Sequence, residues 1–124
     1  MTRVLDTSAV VALILEEPGV EAARAAAMEG AAMSTVYVAE SIEILVRRGM
    51  PRAQAAEALH DLPFQWRSPG WSEAQDAAAL ATVKGLSLGD RFCIALGRTL
   101  KSSVVTADRA WSQSDLGVSV ELIR

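Results

Sequence analysis

The sequence predicts an α/β fold with a short, mostly parallel sheet and helices on both of its faces. Short aliphatic runs such as Arg3–Leu5 and Ser103–Thr106 have the composition of buried strands. Stretches of helical length, several of them rich in alanine, separate these runs. Because strands that alternate with helices are joined by crossover connections, neighbouring strands should run parallel.

The individual elements follow from turn signals and apolar patterns along the chain. Glycine commonly ends a helix in a left-handed conformation, so Gly30, Gly49 and Gly85 mark helix ends, whereas Pro51 suits a first turn. Ser8 is expected to cap the first helix. The predicted strands cover Arg3–Leu5, Ala32–Ser34, Gln65–Arg67, Ser103–Thr106 and Ser119–Ile123. The predicted helices cover Ser8–Glu16, Val20–Glu29, Thr35–Arg48, Pro51–Asp61, Ser72–Lys84 and Leu88–Leu100, with a helical turn at Arg109–Gln113.

Composition and charge limit the class of protein. The 124 residues are 51% hydrophobic, which fits one folded domain spanning residues 1–124. The single cysteine, Cys93, excludes an internal disulfide and fits a reducing compartment. No apolar run is long enough to span a bilayer and no signal peptide is recognised, so we expect a cytoplasmic protein. With a net charge of −3, any nucleic-acid binding must depend on local charges or a bridging cation.

Four acidic residues lie at positions that suggest a binding site. Asp6 follows the first predicted strand, and Asp108 follows the strand that ends at Thr106. The carboxyl ends of parallel strands meet at one edge of a sheet, where ligands bind. Asp90 lies in the first turn of a helix, and Glu40 lies on a helix that is apolar nearly all round. A carboxylate in such surroundings is costly unless it is paired or bound to a metal.

Each of these acids also has an ordinary structural explanation. Asp6 can initiate a turn, and Asp108 can cap the short helix that follows it. The segment Ser87–Asp90 fits a capping box, and Glu40 can pair with Arg47 on its own helix.

Taken together, the four acids predict a site for a divalent cation. Carboxylates gathered at one edge would repel one another and raise one another's pKa values unless a cation were bound. Oxygen ligands without a cluster of histidines or cysteines favour Mg²⁺, or Mn²⁺, over zinc.

Four segments in order resemble the motifs of PIN-domain proteins, specifically the VapC-type toxins of bacterial toxin–antitoxin pairs. They are Val4–Ala9, Ser34–Glu40, Leu88–Asp90 and Val105–Trp111. The resemblance implies a PIN-like three-layer α/β/α sandwich around a parallel sheet. It also implies Mg²⁺-dependent endoribonuclease activity on structured RNA, commonly tRNA or rRNA, together with a homodimer and a cognate antitoxin protein.

The resemblance assigns roles to individual residues. The family's acidic positions fall on Asp6, Glu40, Asp90 and Asp108, and its hydroxyl positions fall on Ser8 and Thr106. Because Mg²⁺ takes few protein ligands, we expect Asp6 and Asp90 to touch it directly, and Glu40 and Asp108 to act directly or through water. One of these two outer acids would orient or deprotonate the attacking water. Glu43, one turn from Glu40, is an alternative helical ligand, and Asp115 is a further candidate.

Arginines and tryptophans beside the motifs have two readings. Arg91 and Arg109 each follow a motif acid, so they are candidates for holding RNA phosphates, or else they pair with surface acids. Trp111 is a candidate surface for stacking a base, or else it covers the last strand; for Trp66, Trp71 and Trp111 alike, packing in the core is the expected role.

Three alternative functions share parts of this pattern. A Mg²⁺-binding phosphoacceptor receiver domain would need an acid pair after the first strand and an aspartate ending a mid-chain strand, neither of which is present. A HAD-type phosphatase would need an aspartate where Ser8 stands. A catalytically inactive PIN-like module that only binds protein would keep the fold without the activity.

Overall fold

A computed structural model describes residues 2–124, and Met1, which the predicted domain includes, lies outside the described residues. Within residues 2–124, five parallel strands form one sheet in the order β3-β2-β1-β4-β5. The strands are β1 (Arg3–Leu5), β2 (Ala31–Ser34), β3 (Phe64–Arg67), β4 (Val104–Thr106) and β5 (Val120–Leu122). The helices are α1 (Thr7–Leu15), α2 (Val20–Met28), α3 (Val36–Arg47), α4 (Arg52–His60), α5 (Trp71–Ala79) and α6 (Leu88–Leu100). The predicted α/β/α class with a parallel sheet is confirmed.

The strand order determines where a site should form. From β1 the chain moves outward through β2 to β3, and it then returns to place β4 on the other side of β1. The strand order therefore reverses between β1 and β4. In open parallel sheets, the crevice outside the carboxyl ends of the strands at such a switch point is where ligands bind. Asp6 and Asp108 lie at this point, directly after β1 and shortly after β4.

The core lies between the sheet and the helices that pack on it. The β1 residues Val4 and Leu5 and the β4 residue Val104 are fully buried. Helix α6 packs against β1 and β2, and it contributes Ile94 and Leu96 to the same core. Strands buried by helices in this way read as continuous apolar runs, which is why β1 and β4 could be recognised in the sequence.

Some element ends differ from the prediction. The sequence predicts a helix up to Lys84, but α5 stops at Ala79 and a short 3-10 turn covers Leu80–Thr82. Val83 is extended and ends that turn. Trp71 was expected in the core, but its side chain is 82% exposed, whereas Trp111 is buried. No helix among residues 2–124 is both long enough and apolar enough to cross a membrane.

Candidate active site

An acidic cleft of about 310 Å³ opens at the carboxyl edge of the sheet. All four predicted acids line it: Asp6, Glu40, Asp90 and Asp108. They come from four different parts of the chain, so the fold alone brings them together. The sequence-based expectation that these side chains share one site agrees with this placement.

Asp6 is the most deeply buried of the four acids, with 4% of its surface exposed. Its Oδ1 accepts a hydrogen bond from the backbone N–H of Ala9 at 2.9 Å, so Asp6 is the N-cap of α1. The prediction that Ser8 caps this helix is wrong, because α1 begins one residue earlier, at Thr7. Asp6 can therefore cap the helix and still bind a cation, because capping leaves lone pairs free on its carboxylate.

Two hydroxyl groups hold the carboxylate of Asp6. Ser8 Oγ donates to Asp6 Oδ1 at 2.7 Å, and Thr106 Oγ1 donates to Asp6 Oδ2 at 2.5 Å. Ser8 Oγ also accepts from the backbone N–H of Ala107 at 2.9 Å, and Thr106 Oγ1 accepts from that of Asp108 at 3.0 Å. Because both hydroxyls accept from the backbone beyond β4, their protons point towards Asp6, which ties β1 to β4 at the cleft.

Burial dominates the electrostatics of Asp6. The net pKa of Asp6 is raised to about 6, mainly by loss of solvent and to a smaller extent by the nearby charge of Asp90. The hydrogen bonds from Thr106, Ser8 and Ala9 oppose this shift, because they stabilise the charged form. The carboxylate is thus costly to ionise in the absence of a cation.

Asp90 connects α6 to α3. Its Oδ2 accepts from the backbone N–H of Ser87 at 3.0 Å while Ser87 Oγ accepts from the Asp90 N–H at 3.1 Å, which is the predicted capping box. The other oxygen, Oδ1, accepts from the hydroxyl of Tyr37 at 2.8 Å. Tyr37 is fully buried on α3, so the orientation of Asp90 is set from two helices.

Glu40 reaches the cleft because α3 and α6 approach closely at Gly89. A Cβ placed on Gly89 would lie 2.8 Å from Tyr37 Cε1 and 2.9 Å from Glu40 Oε2, so only glycine fits between these side chains. Partial burial raises the pKa of Glu40, and the charges of Asp90 and Glu43 add to the shift. Within residues 2–124, no ion pair joins Glu40 to Arg47, so the pairing alternative is not realised.

Asp108 lies at the outer side of the cleft and is exposed. Its Oδ1 accepts from the backbone N–H of Ala110 at 3.0 Å, so Asp108 caps the 3-10 turn Arg109–Gln113, as its ordinary explanation predicts. One oxygen remains available to the cleft.

The candidate metal ligands in the cleft are carboxylate oxygens, but they do not surround a metal position completely. Among residues 2–124, no three side chains of Asp, Glu, His or Cys are arranged so that together they could hold a metal ion. This arrangement fits Mg²⁺, which usually keeps several waters and takes only one or two protein carboxylates directly. It does not fit a structural zinc site, which needs four close ligands.

Other candidate residues lie outside the cleft lining. Glu43 faces a separate apolar groove between α3 and α4, and Asp115 accepts a backbone hydrogen bond in an exposed loop. Neither Arg91 nor Arg109 lines the cleft, and the Nε of Arg91 is buried without a hydrogen-bond partner in the described part of the chain. Their contact with RNA phosphates therefore stays a prediction.

The cleft also contains residues that the sequence analysis did not select. Tyr37, Glu17, Arg48 and Arg124 all contribute to the site or its lining. Arg48 follows Glu40 by two steps of four residues, which places both on one face of α3, so helical spacing could have identified it. Nothing in the sequence near Arg124 connects it to the acidic motifs.

The fold and the cleft define an α/β/α domain with an acidic pocket at the switch point of a parallel sheet. A family model described as the PIN domain matches residues 3–115. The chain therefore belongs to the PIN domain family, and the predicted resemblance to that family is confirmed. The receiver and phosphatase alternatives are set aside. The comparison with curated proteins gives no match.

Three solved structures share this fold over most of the chain. A toxin–antitoxin complex from Klebsiella pneumoniae is 16% identical with a TM-score of 0.74, and the match covers 98% of each chain. VapBC2 from Rickettsia felis, bound to a DNA fragment from its promoter, is 16% identical with a TM-score of 0.75 over 98% of each chain. VapC20 from Mycobacterium tuberculosis, described as a sarcin–ricin loop cleaving toxin, is 18% identical with a TM-score of 0.73, covering 91% of this chain and 95% of that one. At sequence identities of 16–18%, the similarity to these structures shows a shared fold.

Proposed function

We propose that this protein is a Mg²⁺-dependent endoribonuclease and the toxin of a type II toxin–antitoxin pair. The observation that carries the proposal is the meeting of Asp6, Glu40, Asp90 and Asp108 in one cleft at the switch point of the sheet. Membership of the PIN domain family agrees with nuclease chemistry at that position. A cleft lined by carboxylates repels a phosphodiester unless a cation lies between them.

The four acids divide into two groups by their surroundings. Asp6 and Asp90 are fixed by several hydrogen bonds each, so they would hold Mg²⁺ directly, with Glu40 and Asp108 assisting directly or through water. When bound, Mg²⁺ (or Mn²⁺) would neutralise charge on the phosphate and make a water molecule more acidic. Ser8 and Thr106 keep the Asp6 carboxylate in one orientation, which preserves the geometry of the site.

Glu40 is our candidate for the general base. Its pKa is raised by partial burial and by neighbouring carboxylates, so it accepts a proton more readily than an ordinary glutamate. It lines the cleft beside Asp90, whereas the chain's one histidine, His60, is exposed on α4. Attack by a water deprotonated at Glu40 predicts a 5′-phosphate and a 3′-hydroxyl, and a 2′,3′-cyclic phosphate would count against it.

The proposed partners follow from the family and from proteins with the same fold. The Klebsiella pneumoniae structure is described as a toxin–antitoxin complex, and VapC20 is described as cleaving the sarcin–ricin loop. We accordingly propose a structured RNA, such as tRNA or rRNA, as the substrate of this chain in the cytoplasm. A cognate antitoxin protein and a homodimer complete the proposed assembly.

Cleavage of purified tRNA and rRNA by the full chain tests this function. We expect cleavage with Mg²⁺, none with EDTA, and a loss of at least about a hundredfold for Asp90→Asn. Asp61→Asn is the matched control, because it removes an exposed carboxylate on α4 without touching the cleft.

Two results would contradict the nuclease proposal. If neither RNA is cut in Mg²⁺ or Mn²⁺, the alternative of a PIN-like module that only binds protein is favoured. If Asp90→Asn cuts as well as the wild type, the activity does not belong to this cleft.

A further inference from the structure

The acidic cleft has a basic end that the proposed chemistry does not use. Glu40, Ile44 and Arg48 follow one another at intervals of four residues, and all three line the cleft. They form one stripe that runs along α3 to its C-cap residue, Arg48. At a rise of 1.5 Å per residue, Arg48 lies roughly 12 Å from Glu40 along the helix axis. The stripe therefore leads from the carboxylates to a guanidinium two turns away.

Arg48 is held in place but remains open to solvent. Its Nη2 donates to Glu17 Oε2 at 2.8 Å, and Glu17 is itself largely buried, with 19% of its side chain exposed. The side chain of Arg48 is 54% exposed. A guanidinium has five N–H donors, so binding Glu17 with one of them leaves donors for a phosphate.

A second arginine reaches the cleft from another part of the chain. Arg124 also lines it, and its Nη1 donates to the backbone carbonyl oxygen of Pro18 at 2.6 Å. Pro18 follows Glu17, so both guanidinium groups are anchored on the same turn after α1. Both arginines that line the cleft are thus held by neighbouring residues of one turn.

We propose that Arg48 and Arg124 bind a phosphate of the RNA next to the one that reacts, and so position the substrate in the cleft. This inference rests on the proposed nuclease function. The distance along α3 places Arg48 beyond the phosphate that faces Glu40. Because the chain carries a net charge of −3, attraction of RNA depends on local positive charge, and among the described residues Arg48 and Arg124 are the cationic side chains that line the cleft. Glu17 offsets part of the charge of Arg48, whereas Arg124 is held by a neutral carbonyl group.

The test measures RNA binding separately from cleavage. All variants are made in an Asp90→Asn background, so that a labelled stem-loop RNA of about 20 nucleotides stays intact during fluorescence anisotropy measurements. Arg48→Gln and Arg124→Gln should each weaken binding about tenfold at low salt. In the double variant, the slope of log affinity against log salt should fall by roughly 1.4–1.8, the range for two contacts to single-stranded or duplex nucleic acid.

Arg47→Gln is the matched control. Arg47 is adjacent in sequence and carries the same charge, but it lines the separate groove between α3 and α4. Its loss should leave the affinity within about twofold of the background, as expected for a residue outside the phosphate contacts. Arg48→Lys keeps the charge and should keep most of the salt slope. Thermal melting checks that each variant is folded.

Three results would overturn the inference. The first is unchanged affinity in both Arg48→Gln and Arg124→Gln. The second is an equal loss in Arg47→Gln, which would indicate a general effect of net charge. The third is a background protein that does not bind RNA. Cleavage by the wild type is measured independently, so the nuclease proposal can stand when this inference fails.

Discussion

Replacing Asp6 with asparagine should stabilise the protein when no divalent metal is present. Burial raises the pKa of Asp6 to about 6 from 3.8, so the folded state binds this proton more tightly than the unfolded chain does. The contribution of Asp6 to the free energy of unfolding is therefore most favourable below about pH 4 and is lost as the pH rises to about 6. Above that pH the ionised carboxylate costs up to about 3 kcal/mol.

Asparagine removes this cost and keeps most of the local contacts. Its side-chain oxygen can still accept from Ala9 N–H and Ser8 Oγ, so the cap of α1 is retained. Thr106 must reorient to accept from the new amide, which offsets part of the gain. We expect a net stabilisation of about 2 kcal/mol at about pH 7.5 in EDTA, equivalent to a melting temperature higher by roughly 6–10 °C.

The assay is thermal unfolding of wild type, Asp6→Asn and the control Asp61→Asn, in EDTA and in Mg²⁺. The stabilisation should be confined to Asp6→Asn and should vanish at about pH 4, where the wild-type carboxyl is protonated. Mg²⁺ should then stabilise the wild type more than the variant, by about 1.4 kcal/mol at a tenfold excess over the dissociation constant. A lower melting temperature for Asp6→Asn in EDTA at about pH 7.5 would refute the reasoning.

Two further substitutions test the supports of the cleft. Gly89→Ala should cost about 1–2 kcal/mol, because the new Cβ meets the buried ring of Tyr37 at 2.8 Å. Gly70→Ala adds the same methyl group in open space, so its cost should be limited to a weaker N-cap for α5, under about 1 kcal/mol. Equal effects in denaturant unfolding would contradict the close approach at Gly89. Thr106→Val should lower the free energy of unfolding by about 1–3 kcal/mol at about pH 7.5 and by less at about pH 4, because the lost hydroxyl stabilises ionised Asp6. A loss of stability that does not depend on pH would argue against that hydrogen bond.

Much of the fold follows from simple sequence patterns. The runs at β1 and β4 are apolar because helices cover both faces of the sheet, and their direction follows from the crossover rule. The end of α5 could not be predicted in this way. The alanine-rich pattern favours a helix up to Lys84, but the chain changes to a 3-10 turn at Leu80–Thr82 and is extended at Val83.

The site was predicted in part, because acids near strand ends and helix starts can be located from local signals. The cap of α1 was assigned to Ser8 because both Asp6 and Ser8 are good capping residues, and only the backbone conformation decides between them. The positive end of the cleft was missed for a different reason. Arg48 and Arg124 are both anchored by tertiary packing on the turn at Glu17 and Pro18, and no local pattern in the sequence indicates that packing.

Anomalous diffraction from a crystal of the full chain soaked in Mn²⁺ would show whether the four acids form a metal site. We expect a manganese peak in the cleft, bonded directly to Asp6 and Asp90, with Glu40 and Asp108 in its surroundings, and no such peak in crystals of Asp6→Asn. A cleft without manganese at concentrations that support RNA cleavage, or a peak held by other residues, would contradict it.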